Sequence, residues 1–250
     1  MSDKIQKEKE FHNHAFSDKR RSKLDSIYTI VEPSRSFYQS LISSECRGKK
    51  VLEYGCGPGS QSYLLASKGA EVTGIDISEV AIEQAVEKAE KEGLKIEFRV
   101  ANAEELDFRD NEFDLICGSA IIHHLDIEKS FKSVTRVLKS NGECIFFEPL
   151  GHNIFINLFR KLTPGLRTED EHPLTSGELE TIKNYFFESK IRYFHLISLF
   201  LIPFTRFRFF PGLLSFTEFL DKILFKILPF LKNQAWIVVI HLKRPKKAQN

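Results

Sequence analysis

Large single-sign charge is missing from this sequence. Lys plus Arg number 36 against 34 for Asp plus Glu, a net charge of +2. That balance argues against bulk electrostatic binding of nucleic acid, which needs a dense basic face. The four cysteines, Cys46, Cys56, Cys117 and Cys144, form no CxxC pair. A zinc-thiolate site and a disulfide framework are therefore both disfavoured. Long apolar runs are missing too. The best, Leu196 to Thr205, contains Pro203 and stops at Arg206, well short of the roughly 18 residues a membrane-spanning helix needs. The opening MSDKIQKEKE has no apolar h-region, so no secretory signal is expected and the cytoplasm is the default compartment. Met and Trp occur once each, whereas Phe occurs 23 times, and that surplus has to be placed.

The composition supports a folded core. A hydrophobic share of 42% over 250 residues excludes general disorder and fits one domain with additions. Residues 1–47 read as a polar helical cap, with Phe11, Phe16, Leu24, Ile27, Tyr28, Ile30 and Val31 as scattered apolar positions. From Lys50 onward, strand and helix patterns alternate, the pattern of parallel βαβ units. Strands are expected at 50–54, 71–75, 95–100, 113–118 and 143–148, then near 190–198 and 235–242. Ser78 and Asp126 sit where helix N-caps belong, Gly93 where a C-cap belongs, and Thr175-Ser176-Gly177-Glu178 fits a capping box. Asn141-Gly142 reads as a turn before the fifth strand.

The clearest chemical signal is Val51-Leu52-Glu53-Tyr54-Gly55-Cys56-Gly57-Pro58-Gly59, which ends the first strand and opens a helix. Glycines permit a tight turn and close ligand approach, and the helix start presents free N–H groups to an anion. Asp76 closes the second strand about 20 residues later, where an acid can accept from both hydroxyls of a ribose. A dinucleotide fingerprint would place the third glycine one residue later, and a P-loop would need GK[ST]. The E-x-G-x-G-x-G loop suits an adenosine bearing a short amino-acid carboxylate.

With these residues in order, the sequence resembles the class I S-adenosylmethionine-dependent methyltransferases over about residues 48–150. VLEYGCGPGS resembles their first motif, VTGIDIS the second, VANAEEL the adenine-edge motif, FDLICGSAIIHHL the fourth-strand motif and LKSNGECIFFEP the fifth. The resemblance implies an α/β, Rossmann-like doubly wound sheet of seven strands, mostly parallel with the last antiparallel. It implies S-adenosylmethionine as cofactor, held by Glu53, Gly55, Cys56, Gly57, Asp76, Ile77, Asn102, Ala103 and Ser119. Around the 48–150 core the chain divides into the 1–47 cap, a substrate lid and sixth strand at 151–198, a hydrophobic helical insertion at 199–232, and a last strand with basic tail at 233–250.

Methyl transfer is in-line displacement, so positioning dominates, and an oxygen acceptor gains from a general base near pH 7. His123 and His124 follow the fourth strand and Glu148 ends the fifth, both at the carboxyl edge where open α/β sheets bind ligands. The polar stretch EPLGHN…LTPGLRTEDEHPLT adds His152, Arg167, Asp170, Glu171 and His172. The catalytic set is thus His123, His124, Glu148, His152 and His172. The spacing of Glu148, His152, Asp170 and His172 is not diagnostic, and no metal is assigned. Phe11-His12-Asn13-His14 is a candidate to close the far side of the pocket.

Ten phenylalanines fall between Phe194 and Phe230, interrupted by Arg206, Arg208, Lys222, Lys226 and Lys232. Such faces suit helices lying in a membrane interface, with a buried subdomain or dimer seam as the alternative. Short helices broken at Pro203, Pro211-Gly212 and Pro229 are expected. Leu213, Phe216, Leu220, Ile223, Leu224 and Ile227 would form the inward stripe of helix 213–228, with Glu218 and Asp221 off it. Phe209, Phe210 and Phe225 would remain for lipid. The basic tail 243–247 reads as solvated, with weak attraction to anionic lipid.

The function read from all this is O-methylation of a small, lipophilic or membrane-associated acceptor. N- or C-methylation of a small metabolite comes next, then a nucleic-acid methyltransferase, then a non-catalytic cofactor-binding scaffold. No [DN]PP[YW]-like or Pro-Cys motif follows the fourth strand, so no nucleic-acid partner is expected. Monomer and homodimer both fit.

Overall fold

The structure, a computed structural model, describes residues 3–17, 29–44, 46–163 and 172–247. Leu24, Ile27, Tyr28, Arg167, Asp170 and Glu171, singled out above, lie outside the described residues. Among the described residues the helices are α1 (Asp3–Ser17), α2 (Glu32–Ser43), α3 (Ser62–Ser67), α4 (Glu79–Glu92), α5 (Ile127–Val137), α6 (Ile154–Leu162), α7 (Ser176–Asn184) and α8 (Phe210–Ile227). The strands are β1 (Lys50–Tyr54), β2 (Glu71–Asp76), β3 (Ile96–Val100), β4 (Phe113–Ser119), β5 (Leu138–Pro149), β6 (Phe186–Phe194) and β7 (Ile237–Pro245).

They form one sheet in the order β3-β2-β1-β4-β5-β7-β6. The pairs among β1 to β5 are parallel, and β7 runs antiparallel between β5 and β6. Strand period two splits the core between the faces. Leu52, Tyr54 and Ile116 pack with Phe131, Val134 and Phe146 on one side. Val51, Leu115 and Cys117 pack with Tyr38, Ile42 and Leu65 on the other. Each large side chain fully buried in this way contributes roughly 1.5–3 kcal/mol. The four cysteines are free and buried, and burial pushes the thiols of Cys56, Cys117 and Cys144 upward.

The expected caps form. Ser78 Oγ accepts from Ala81 N–H at 3.1 Å, and Asp126 Oδ1 accepts from Lys129 N–H at 3.0 Å. Gly93 adopts φ 64° beyond α4, and the Thr175–Glu178 capping box closes in both directions. Two strand boundaries differ. β5 begins at Leu138, because Phe113 pairs with Leu138 and Leu115 with Glu143. Asn141-Gly142 is therefore an irregularity inside the strand rather than a turn before it. β6 ends at Phe194 because His195 turns the chain at φ 63°.

The insertion departs most from expectation. It comprises short 3₁₀ segments at Ser198–Phe204 and Pro229–Gln234 around α8. Pro211 occupies the first turn of α8 rather than breaking it, a position where its missing N–H costs nothing. The inward face of α8 is turned by about one residue from the expected stripe, with Leu213, Leu220 and Leu224 left half-buried at its edge. Phe210, Leu214, Thr217, Glu218, Asp221 and Phe225 point inward, while Phe216, Phe219, Ile223 and Ile227 are exposed. Two buried carboxylates decide this. Asp221 accepts from Leu196 N–H at 2.9 Å and Ile197 N–H at 2.8 Å. Glu218 Oε1 lies 2.7 Å from Nδ1 of the fully buried His195, whose Nε2 meets Ser34 Oγ at 2.7 Å. These contacts tie α8 to the end of β6 and to α2. Beneath them Ile30, Ile156, Leu199, Leu201, Phe210 and Leu214 make a satellite core. The basic tail is also engaged: Lys243 pairs with Glu143 at 3.0 Å, Arg244 with Glu188 at 3.2 Å, and Lys247 Nζ donates to Thr135 O at 2.7 Å.

Asp221→Ala leaves two N–H groups at the β6 end without their acceptor. It is expected to lower the unfolding free energy by about 2–4 kcal/mol, with Asp221→Asn costing less. Urea denaturation followed by circular dichroism checks this; an Ala variant as stable as wild type would refute the anchoring role.

Candidate active site

The glycine loop is built from below by a buried acid. Glu53 shares a strand face with Val51 and lies under the loop. It accepts from Ser60 Oγ at 2.9 Å, Gln61 N–H at 2.8 Å, Ser62 N–H at 2.7 Å and the Ser62 hydroxyl. Burial pushes its carboxyl up while these donors pull it down. Glu53 is thus a brace that caps the start of α3. Cys56 likewise contributes only backbone: its N–H donates to Ile75 O at 2.8 Å while its side chain is buried.

Gly55 and Gly57 adopt φ 68° and 52°, a region that side chains with a Cβ rarely enter. A Cβ on Gly55 would stand 2.7 Å from Ile121, so the loop is a cradle pressed against the chain after β4. Asp76 reaches it from β2. Its Oδ2 accepts from Gly57 N–H at 2.7 Å and its Oδ1 from Ser78 N–H at 2.9 Å. Each carboxylate oxygen keeps acceptor capacity for a diol. Ile77 is half-buried beside it. The adenine-edge turn is pinned from the core, with the Tyr54 hydroxyl donating to Ala103 O and Ala101 N–H donating to Asp76 O at 2.9 Å. Asn102 Oδ1 accepts from Glu104 N–H at 3.0 Å, so its side chain shapes this turn and offers its remaining amide capacity outward. These groups fit an adenosine with a short charged tail: a diol acceptor, a turned backbone and a half-buried apolar wall. Asp76, Gly55, Gly57, Ile77, Asn102 and Ala103 would hold S-adenosylmethionine there, with half-buried Ser119 at the end of β4.

A second arrangement stands at the ends of β4 and β5. Glu148 is fully buried. Its Oε1 accepts from Ile121 N–H and Ile122 N–H, both at 2.9 Å, and its Oε2 meets His123 Nδ1 at 2.7 Å. Ala120, with φ 55°, turns the chain into this position while its N–H donates to Phe147 O at 2.8 Å. A non-glycine residue in that region is strained, as functional turns often are. His124 packs its ring 4.2 Å from that of His123.

His152 and His172 do other work. His152 Nε2 accepts from Ser176 N–H at 3.0 Å, which holds the first turn of α7. The exposed His172 lies 3.9 Å from Glu178 in the capping box. Nothing brings either to the His123–Glu148 pair. The polar composition of the lid marked it as surface but carried no information on partners.

The N-terminal segment does reach the site. Asn13 Oδ1 lies 2.5 Å from Ser78 Oγ, and Lys9 pairs with Glu79. His12 meets His124 edge-on at 5.5 Å. Glu8 joins them, its Oε2 standing 3.4 Å from both His12 Nε2 and His124 Nδ1. Glu8 escaped the sequence reading, although its i, i+4 spacing to His12 places both on one helix face.

Residues 52–146 match a family model described as a methyltransferase domain. A ubiquinone biosynthesis O-methyltransferase of Coxiella burnetii (strain RSA 493 / Nine Mile phase I) is 34% identical over 114 residues, covering 45% of this chain and 48% of that protein. That of Bordetella avium (strain 197N) is 29% identical over 124 residues, 49% of this chain and 52% of that protein. The chain spans about half the length of the curated relatives it matches. Among solved structures, phosphoethanolamine N-methyltransferase 2 of Haemonchus contortus in complex with S-adenosyl-L-methionine superimposes with TM-score 0.63 at 19% identity, covering 86% of this chain and 53% of that one. A geranyl diphosphate methyltransferase with GPP and sinefungin gives 0.61 at 11%, covering 84% and 77%. At these identities the likeness shows the fold.

Asp76→Ala is expected to weaken S-adenosylhomocysteine binding by about 1.5–3 kcal/mol, the range for hydrogen bonds to a charged group. Titration calorimetry measures it. Tight NAD binding with no S-adenosylhomocysteine binding would overturn the cofactor assignment.

Proposed function

We propose that this chain, which carries a class I S-adenosylmethionine-dependent methyltransferase core, uses it to methylate a hydroxyl on a small lipophilic acceptor. The observation that carries the reading is the buried His123–Glu148 pair at the carboxyl edge of the sheet, beside the glycine loop. When bound, S-adenosylmethionine supplies an electrophilic methyl group on a sulfonium. The chain supplies the rest. Glu148 takes the Nδ1 side of His123, so Nε2 is the nitrogen that receives the acceptor's hydroxyl proton. With the cofactor held by Asp76 and the glycine loop, the oxygen so deprotonated would face the methyl group that the sulfonium supplies. The fixed Ile121–Ile122 backbone keeps the base in one place during that step, and positioning supplies most of the rate. The names of the curated relatives, matched over about half of their length, are those of O-methyltransferases and support an oxygen acceptor.

The lipophilic part of the reading rests on the insertion. Phe216 and Phe219 are 56% and 57% exposed, and Phe207 stacks on Phe209 at 5.3 Å. α6 continues the surface through Phe155, whose ring meets Phe200 at 4.9 Å, with Leu158 and Leu162 exposed beyond. Arg206, Arg208, Lys222 and Lys226 are exposed among them. Apolar patches of this kind with basic flanks suit a lipid interface or an oily acceptor. No described helix is long and apolar enough to cross a membrane, so the contact would be peripheral. Phe210 and Phe225, expected at the lipid, are buried, and the exposed rings of α8 take their place.

Replacing both His123 and His124 by Ala is expected to lower kcat by about 10²–10⁴, the usual loss of a general base, with S-adenosylhomocysteine affinity kept. A change of only a few-fold would favour a nitrogen or carbon acceptor. For the surface, wild type is expected to co-sediment with anionic liposomes and the Phe216→Ser, Phe219→Ser variant to remain in the supernatant. Wild type left in solution would refute the membrane contact.

A further inference from the structure

Glu8 and His12 on α1 and His124 after β4 come from parts of the chain more than a hundred residues apart, yet they meet at one point. The carboxylate atom Glu8 Oε2 is 3.4 Å from His12 Nε2 and 3.4 Å from His124 Nδ1, and all three ligand atoms lie within 4.8 Å of one another. We propose that these three side chains bind a divalent transition-metal ion of the zinc class. The inference rests on the reading of the adjacent His123 as base only for what the ion would do, not for where it binds.

Four observations carry it. First, the separations fit an ion better than hydrogen bonds. Ordinary N–H···O bonds to a carboxylate close to about 2.7–2.9 Å. Ligand atoms bonded at about 2.0–2.1 Å to a tetrahedral centre stand about 3.3 Å apart. Second, the site is largely withdrawn from water: the side chains of Glu8, His124 and His12 are 10%, 11% and 21% exposed. Third, the donors are two imidazoles and one carboxylate, which suits zinc, iron, cobalt or nickel and disfavours magnesium and calcium. Three protein ligands leave a fourth position open, as catalytic rather than structural zinc sites do. Fourth, the ligands are held independently of any ion. Asn13 and Lys9 dock α1 on Ser78 and Glu79, and the backbone bonds to Glu148 fix the turn that carries His124.

The His124 ring packs 4.2 Å from that of His123, so an ion held by His124 would be carried next to the proposed base. An acceptor oxygen bound there becomes more acidic, because the cation stabilises the alkoxide or phenolate. Its proton leaves to His123 Nε2 and its charge is balanced by the ion. Methyl transfer itself is unchanged in atoms and electrons.

The test uses the full chain, stripped with a chelator and dialysed. Co²⁺ titration is expected to give visible d–d absorption of a four- or five-coordinate centre, saturating at one ion per chain. Zn²⁺ is expected to displace it at the same stoichiometry by elemental analysis. Glu8→Gln and His12→Gln are each expected to weaken Co²⁺ binding at least tenfold, and His172→Ala, at an exposed histidine beside Glu178 that is not one of the three ligands, to leave it unchanged. Circular dichroism and S-adenosylhomocysteine calorimetry on the same samples confirm that each variant is folded. Less than a tenth of an equivalent bound by wild type, or variants that bind Co²⁺ as wild type does, would overturn the site. Loss of S-adenosylhomocysteine binding in a wild type that still binds one ion would instead overturn the functional reading and leave the metal site standing.

Discussion

One buried carboxylate organises the chemistry of this protein. Glu148 lies at the end of β5 with no exposure to water. A bare carboxylate there is costly, so it must be fully engaged. Ile121 and Ile122 donate backbone N–H groups to one oxygen and His123 faces the other. Those three contacts bend the chain after β4, hold Ala120 in its strained conformation, press Ile121 against Gly55 and set the His123 tautomer. The glycine loop and the proposed base therefore share one support. Removing the carboxylate would disturb both, which is why its effect on rate cannot be assigned to proton transfer alone.

Asp76 and Glu53 play matching parts on the cofactor side. Both are acids at the ends of central strands, and the motif grammar put them together as ligand groups. Their surroundings separate them. Glu53 is consumed by Ser60, Gln61 and Ser62 beneath the loop, whereas Asp76 takes one backbone donor per oxygen and stays partly open. Spacing locates an acid near a loop; by register Glu53 stands opposite Gly74 and so shares its strand face with Asp76, and what separates the two acids is the set of donors that the fold brings to each.

The same distinction explains what was legible. Glycine spacing, the strand-ending Asp76, the caps at Ser78, Asp126 and Thr175, and the His123–Glu148 pairing follow from local rules and survive intact. The α8 face did not, because periodicity assumes that apolar side chains turn inward. Here Asp221 and Glu218 satisfy buried backbone and imidazole groups left by the turn at His195, and an unsatisfied buried donor costs more than an exposed phenylalanine. The stripe has the expected period and is offset by about one residue around the helix. His152 and His172 were misread for a related cause: a polar lid offers many side chains, and only the fold decides which are used up capping α7.

The N-terminal helix brings these threads together. In the sequence its segment Phe11-His12-Asn13-His14 reads as a candidate to close the pocket, with nothing to say what it would touch. In the fold this helix lies over the carboxyl edge of the sheet. Asn13 and Lys9 bind the start of α4, next to Asp76, while Glu8 and His12 face His124, next to Glu148. One helix thus touches the cofactor side and the acceptor side at once. Its docking runs through exposed and half-buried polar contacts at Ser78 and Glu79, which place it without locking it. A ligand that bridges Glu8, His12 and His124 would add the one strong link between this helix and the core. Closure over the acceptor then becomes coupled to occupancy of that point, by the ordinary rule that whatever binds only the closed form stabilises it.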